Sequence, residues 1–264
     1  MFIQKRKINK LMILERNGKQ LSADEIFKYV KAYQKTMLTN KNGRYFNILN
    51  MIPEHQYGLD YGCGWGAFSS LIAAKGNKLV GQDQSQNEID ICNFVWKGDD
   101  NLNFTADNIN FFQQEEFDFV VSNQVIEHTH NPGNYLHQIN RILKTNGTLI
   151  ISVPNSTNPR SFLSLLSKNI EDKLKLESQR ISKSYQKQHD HIQAWDPQHF
   201  TRLVSTIGFE LLEYQPLEGV PLAWPRILSK LPNYIYPKNR LKNYCYTMLF
   251  KFKKTTTSNI RNFD

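Results

Sequence analysis

Long apolar runs, cysteines and acidic residues near the two ends are what this sequence has least of. Its longest apolar stretches, such as Thr148 to Val153, are far shorter than a bilayer-spanning helix requires. The basic N-terminal segment carries no leader-length apolar run, because Lys10-Leu11-Met12-Ile13-Leu14 gives way to Glu15 and Arg16. No small-residue cleavage site follows it either. The cysteines are Cys63, Cys92 and Cys245, an odd number without CxxC spacing. That excludes a disulfide framework and a cysteine zinc site, and makes a reducing cytoplasm the expected compartment.

Acidic residues are scarce at the ends but not in the middle. Residues 1–44 hold 11 Lys/Arg against 3 Asp/Glu, and residues 226–264 hold 9 against 1. Residues 45–225 reverse the balance, 13 against 20, within an overall net charge of +9. Basic ends around an acidic centre suit an anionic partner, a membrane surface or an anionic substrate; they also serve simply to keep a protein in solution.

With 264 residues, 40% of them hydrophobic, the chain is long enough for one α/β domain with additions. Residues 1–43 form a basic helical extension and residues 44–264 the main domain. Ser22, followed by Ala23-Asp24-Glu25, marks the start of a helix to Leu38, and a second runs from Arg44 to Met51. From there strands and helices alternate: strand Tyr57 to Tyr61, helix Phe68 to Lys75 closed by Gly76, strand Lys78 to Gln82, helix Gln86 to Lys97. Strand Asn103 to Ala106, strand Phe117 to Ser122 and helix Asn134 to Leu143 follow; the turn Lys144-Thr145-Asn146-Gly147 then leads into strand Thr148 to Val153. This alternation gives βαβ units, a mostly parallel sheet and ligands at the strands' carboxyl ends.

Beyond Asn155 the pattern changes. Residues 156–195 form a polar insert, helical over Ser161 to Lys187, that lies over the substrate side as a lid. Residues 196–264 begin with a helix from Asp196 to Ile207 and a strand from Phe209 to Tyr214, and end with a strand over residues 246–253. The proline-studded segment 216–243 holds no long element.

The chemistry concentrates after the first strand. Gly62, Gly64 and Gly66 let the backbone approach a ligand, and the following helix N-terminus offers unpaired N–H groups. Asp83, ending the second strand, is placed for ribose hydroxyls. Gly62-x-Gly64-x-x-Ala67 also satisfies a dinucleotide fingerprint, so the turn by itself leaves a nicotinamide cofactor open.

The whole series resolves that choice. Leu59-Asp60-Tyr61-Gly62-Cys63-Gly64-Trp65-Gly66-Ala67-Phe68 resembles the first motif of the class I S-adenosylmethionine-dependent methyltransferases. Leu79 through Asp83-Gln84-Ser85 resembles their second, and Thr105-Ala106-Asp107-Asn108 falls where the family places an acid near the adenine amine. Phe117-Asp118 through Asn123, Glu127-His128 and Pro132, then Ile142 through Asn155, complete the match over about residues 44–155. The sequence is most similar to the branch of ubiquinone-biosynthesis O-methyltransferases and small-molecule relatives. The resemblance implies a Rossmann-like α/β fold: seven strands, mostly parallel, helices on both faces and an antiparallel last strand. It implies S-adenosyl-L-methionine as cofactor, held by Asp60, Gly62, Cys63, Gly64, Gly66, Asp83, Gln84, Asp107 and Asn108. Arg44 is placed by it at the methionine carboxylate and Asn123 at the methionine amine.

A sulfonium methyl donor is already electrophilic, so the protein chiefly aligns an acceptor and, for a hydroxyl, removes its proton. His128, just past the fourth strand, is the first candidate base, with His189 and His191 of the lid behind it; a loop histidine equally serves as a plain hydrogen-bonding group. Quinone O-methyltransferases of this branch carry a Glu-x-x-Glu-His cluster linked to a divalent cation. Here Gln124 stands where the first carboxylate belongs, and His128-x-His130 and His189-x-His191 are isolated pairs, so no metal site is expected. The expected reaction is methyl transfer to oxygen of a small-molecule, lipid-linked or sugar-linked acceptor. Two alternatives stand beside it: an RNA methyltransferase, motivated by the basic ends although no Asn/Asp-Pro-Pro-Tyr/Phe motif follows the fourth strand, and an idle cofactor-binding partner subunit.

Overall fold

The computed structural model describes residues 13–16, 19–159, 169–184, 191–218, 220–221, 234–235 and 239–258. Residues 1–12, the stretch 160–168, Tyr185, His189 and the aromatic-basic stretch 222–233 lie outside the described residues, as does residue 219.

A two-stranded ribbon, β1 (Glu15–Arg16) and β2 (Lys19–Gln20), precedes helix α1 (Ala23–Met37). Ser22 caps α1 through a reciprocal box with Glu25, and Ile26, Val30 and Met37 form its buried face. Helix α2 (Arg44–Met51) buries Ile48 and Met51. The alternating core follows: β3 (Tyr57–Tyr61), α3 (Ala67–Ala73), β4 (Lys78–Gln82), α4 (Gln86–Val95), β5 (Leu102–Thr105), β6 (Phe117–Asn123), α5 (Pro132–Ile142) and β7 (Leu143–Pro154). Asn131 caps α5, with Pro132 in its first turn. Helix α6 (Ile170–Ser184) belongs to the insert; α7 (Pro197–Thr206), β8 (Phe209–Leu217), the short β9 (Val220–Pro221) and β10 (Tyr234–Ile235), and β11 (Thr247–Lys254) complete the series. Among the described residues no helix is long and apolar enough to cross a membrane.

The seven-stranded sheet has the order β5-β4-β3-β6-β7-β11-β8. β3 pairs in parallel with β4 and β6, and β6 with β7. β11 enters between β7 and β8, antiparallel to both, as the family resemblance implies. Two apolar layers cover the faces. One joins Ile26, Val30, Ile48, Phe68 and Ile72 with Phe119 and Val121; the other joins Leu136, Ile139, Phe200 and Val204 with Val120, Ile151 and Phe250. Trp195 packs on the second layer, its ring 5.5 Å from that of Phe200.

One expectation needs correcting. The turn at residues 144–147 does not precede the strand but sits inside it. Leu143 pairs with Phe117 and Thr148 with Phe119, so four residues bulge opposite Asp118. Asn146 takes φ +66° there, and a side chain at Gly147 would press on the Lys144 and Asp118 carbonyls. A Lys144–Asp118 ion pair of 2.7 Å fastens the bulge.

Candidate functional site

The order of strands reverses at β3, because β4 lies on one side of it and β6 on the other. The crevice beyond their carboxyl ends is where open α/β sheets seat ligands, and a cavity of about 450 Å³ opens there.

Its floor is the glycine turn. The Gly62 and Cys63 amides both donate to the Gln82 carbonyl, at 2.8 and 2.9 Å, which curls the chain back over β4. Gly62, Gly64 and Gly66 all have positive φ, at +85°, +50° and +68°. A Cβ at Gly62 would reach 2.5 Å from Val125, and one at Gly66 2.7 Å from Phe104. At Gly64 nothing lies within 4 Å: its missing side chain would point into open space. The Asp83 carboxylate organises the turn, accepting from the Gly64 amide at 3.1 Å and the Ser85 amide at 3.0 Å. Asp60 lies behind it, fully enclosed, accepting 2.6 Å from the Ser69 hydroxyl.

The walls come from farther away. Tyr33 and Met37 of α1, and Tyr45 and Phe68, line the cavity beside Trp65. Tyr33 and Tyr45 join hydroxyls at 3.0 Å, and the Tyr29 and Tyr33 rings meet Trp65 edge-on at 5.7 and 5.8 Å. Asn123, Gln124, Val125 and His128 close the β6 side. Asn123 is oriented by the Ser152 hydroxyl, which donates to its Oδ1 at 2.7 Å.

The sequence candidates therefore divide. Asp60, Gly62, Cys63, Gly64, Asp83, Gln84, Asn123 and His128 all line the cavity. Gly66 is instead the left-handed N-cap of α3. Asp107 accepts from the Thr105 hydroxyl at 2.7 Å, and Asn108 caps a short 3-10 turn; neither lines the cavity. Arg44 does not line it either. Its guanidinium pairs with Glu218 at 3.4 Å and lies over the Tyr45 ring. His191 stands outside the lining but against His128, with ring centroids 4.9 Å apart. His189 lies outside the described residues. Sequence reasoning missed Tyr33, Met37, Tyr45, Trp65, Phe68, Ser85, Glu88 and Val125, of which only Trp65, Phe68, Ser85 and Val125 sit inside the motifs.

The electrostatics are one-sided. Asp60, Asp83 and Glu88 face the cavity, and among the described residues no lysine or arginine lines it. Burial pushes the Asp60 carboxyl up to about 6, against the opposing Ser69 hydrogen bond and with help from the Asp83 charge. Burial likewise lifts Glu88 to about 7, with Asp83 adding to it. A raised folded-state value means the unfolded chain gives up its proton first. Stability contributed by protonated Asp60 is therefore full below the ordinary carboxylate range and lost as pH rises through about 6. Asp60→Asn is expected to raise the melting temperature of the ligand-free protein by roughly 5 °C at pH 8, with no comparable gain at pH 4. Equal shifts in melting temperature at the two pH values would contradict this account of the Asp60 environment.

Among the described residues this cavity is lined by three carboxylates and the His128 imidazole. It belongs to the class of α/β sites suited to a ligand with positive charge near its reacting centre. Known proteins agree on the family. A profile described as a methyltransferase domain matches residues 32–214, so the chain belongs to the class I S-adenosylmethionine-dependent methyltransferases. The mitochondrial ubiquinone biosynthesis O-methyltransferase of Dictyostelium discoideum is 34% identical over 123 residues, covering 41% of this chain and 37% of its own. Its counterpart from Cereibacter sphaeroides is 33% identical over 108 residues, covering 39% and 43%. The chain thus spans well under half the length of these curated relatives. Among solved structures, a chain in the complex of the Haloferax volcanii Trm112 methyltransferase activator with a methyltransferase aligns at TM-score 0.59 and 18% identity, covering 88% of this chain and 98% of that one.

Proposed function

We propose that the protein transfers the methyl group of S-adenosyl-L-methionine to an oxygen of a small-molecule, lipid-linked or sugar-linked acceptor. The observation behind this is the cavity at the switch point, with three carboxylates and, among the described residues, no basic side chain beyond an imidazole. Such a surface favours a sulfonium and an ammonium.

In this reading the Asp83 carboxylate accepts the ribose hydroxyls and the glycine turn admits the nucleoside without a Cβ in its path. Asn123 and Asp60 face the charged amino-acid end. The aromatic wall of Tyr33, Tyr45 and Trp65 excludes water, which matters because alignment of acceptor and methyl group supplies much of the rate. The acceptor approaches on the β6 side. There His128 stands in the cavity wall with His191 behind it, and this cluster is assigned the removal of the hydroxyl proton.

Calorimetry with S-adenosylhomocysteine, run beside NAD as a control, tests the donor assignment. One-to-one binding of S-adenosylhomocysteine at micromolar concentrations, with none for NAD, is expected. Tight NAD binding without any response to the adenosyl ligand would refute the reading.

A further inference from the structure

The buried Glu127 side chain does not line the donor cavity, and the Arg44 charge acts on it from outside. It is completely enclosed, yet among the described residues neither carboxylate oxygen receives a hydrogen bond. A buried carboxylate left in that condition is unfavourable unless it is protonated or meets a cation. Its backbone is by contrast tightly held: the Glu127 carbonyl accepts from the Ile192 and Gln193 amides at 2.9 and 3.1 Å. Those two bonds fasten the chain leaving the insert to the loop after β6, and so bring His191 beside His128. One donor atom each from Glu127, His128 and His191 lies within 4.8 Å of the others. The first is buried, the second half-buried and the third exposed.

We propose that Glu127, His128 and His191 form a binding site for a first-row divalent cation of the zinc type, with His191 as the third ligand in place of the carboxylate absent at Gln124. The Gln124 amide is already committed elsewhere: its backbone N–H donates to the Ser152 carbonyl at 3.1 Å and its side chain to the Ser152 hydroxyl at 3.4 Å. Two imidazoles and one carboxylate are a donor set for Zn²⁺ or Co²⁺, whereas Mg²⁺ asks for oxygens and retains most of its water. In a tetrahedral zinc site with bonds of about 2.0–2.1 Å, the ligand atoms stand about 3.3 Å apart. Binding a cation therefore requires the donor atoms, now within 4.8 Å of one another, to draw closer together. Because His128 also lines the cavity, a cation held by this cluster would lie at the cavity's β6 side. A cation held there would make the proton of a bound acceptor hydroxyl easier to lose. That proton would pass to bulk water, since the imidazole nitrogens holding the cation could not accept it; cation binding would thus replace the imidazole-base role assigned above. The inference deepens the acceptor side of the proposed function, but cation binding itself is measurable without donor or acceptor.

The expectation of no metal site followed from the amide at Gln124 and from reading His128-x-His130 and His189-x-His191 as isolated pairs. His191 arrives from a distant part of the chain, and only the fold shows that it does.

The test is calorimetric titration of chelator-treated protein with Zn²⁺ and, separately, Mg²⁺, on wild type, Glu127→Gln and His191→Ala. S-adenosylhomocysteine binding to each variant serves as the control for an intact donor site. One Zn²⁺ per chain is expected, with Mg²⁺ binding far weaker. Either variant should weaken Zn²⁺ at least about 100-fold, beyond the 10–100-fold typical of outer-shell groups, and His191→Ala should retain S-adenosylhomocysteine affinity. Co²⁺ in place of Zn²⁺ should give the absorption bands of a tetrahedral nitrogen-oxygen site in wild type and lose them in His191→Ala. The proposal fails if Zn²⁺ does not bind, if Mg²⁺ binds as tightly, or if both variants bind Zn²⁺ as wild type does. Zn²⁺ binding with no S-adenosylhomocysteine response would sink the donor reading and leave the cation site standing.

Discussion

Gly64→Leu abolishes binding of the adenosyl ligand while the protein stays folded. The three glycines of the turn differ in what surrounds their absent side chains. At Gly62 and Gly66 a Cβ would collide with Val125 or Phe104, so substitution there disturbs the protein's own packing. At Gly64 a Cβ meets no protein atom within 4 Å, and the residue lines the cavity. A leucine there extends into the space assigned to the ligand. The left-handed backbone, with φ +50°, adds strain of about 1–2 kcal/mol for a residue bearing a Cβ. That should lower the melting temperature by roughly 2–8 °C. Affinity for S-adenosylhomocysteine should fall roughly 100-fold or more, a change of about 2.7 kcal/mol or greater. Calorimetry and a thermal melt on the same preparation separate the two effects. Affinity within twofold of wild type, in a folded variant, would mean the ligand does not lie over this turn.

The second large effect concerns the sheet itself. Gly58 on β3 pairs with Phe119 on β6, and the end of the phenyl ring occupies the space beside the glycine. A Cβ at residue 58 would stand 2.1 Å from the end of that ring, deep inside any permitted contact. Both strands are central, and Phe119 is completely buried, so neither the backbone nor the ring has free room. Overpacking of this kind costs about 3 kcal/mol or more, equivalent to a drop of roughly 6–12 °C in melting temperature. Phe119→Leu by itself also destabilises, by loss of buried area. Combined with Gly58→Ala it should give back much of what the alanine removes. A double-mutant cycle by denaturant unfolding therefore yields a strong coupling term. Strict additivity of the two changes would show that the ring does not occupy the glycine's space.

Much of this architecture is legible in the sequence because local rules and global fold coincide. Ser22 and Glu25 announce α1 three residues apart, and the alternation from Tyr57 to Val153 specifies the parallel sheet. The glycine turn and Asp83 identify the ligand edge because both belong to the βα connections that the fold stations there. What escapes lies in contacts between distant segments. Nothing near Tyr33, Met37 or Tyr45 marks them as cavity walls; they arrive there because α1 and α2 bury apolar faces against α3. Arg44 was expected at the donor, yet Glu218, far along the chain, offers it a carboxylate at 3.4 Å. The bulge at residues 144–147 has ordinary turn composition, and only the pairing of Leu143 with Phe117 shows that a strand continues through it. The Glu127–His128–His191 cluster is the extreme case, since its members become neighbours only when the insert returns to the loop after β6.

The position of β11 has a further bearing on how the chain is made. Strands β3 to β7 emerge from the ribosome in succession and can pair as they appear. β8 then emerges, but its place in the sheet is not beside β7: Thr247 to Lys253 must first occupy that gap, pairing with Pro154 to Thr148 on one side and with β8 on the other. Until they are synthesised, the edge of β7 stands open and β8 has no strand to join. A nascent or prematurely terminated chain ending before Thr247 therefore displays two unsatisfied strand edges, both prone to pair with other chains. Among the described strands, β11 is the one that closes the gap, so completion of the sheet waits on it.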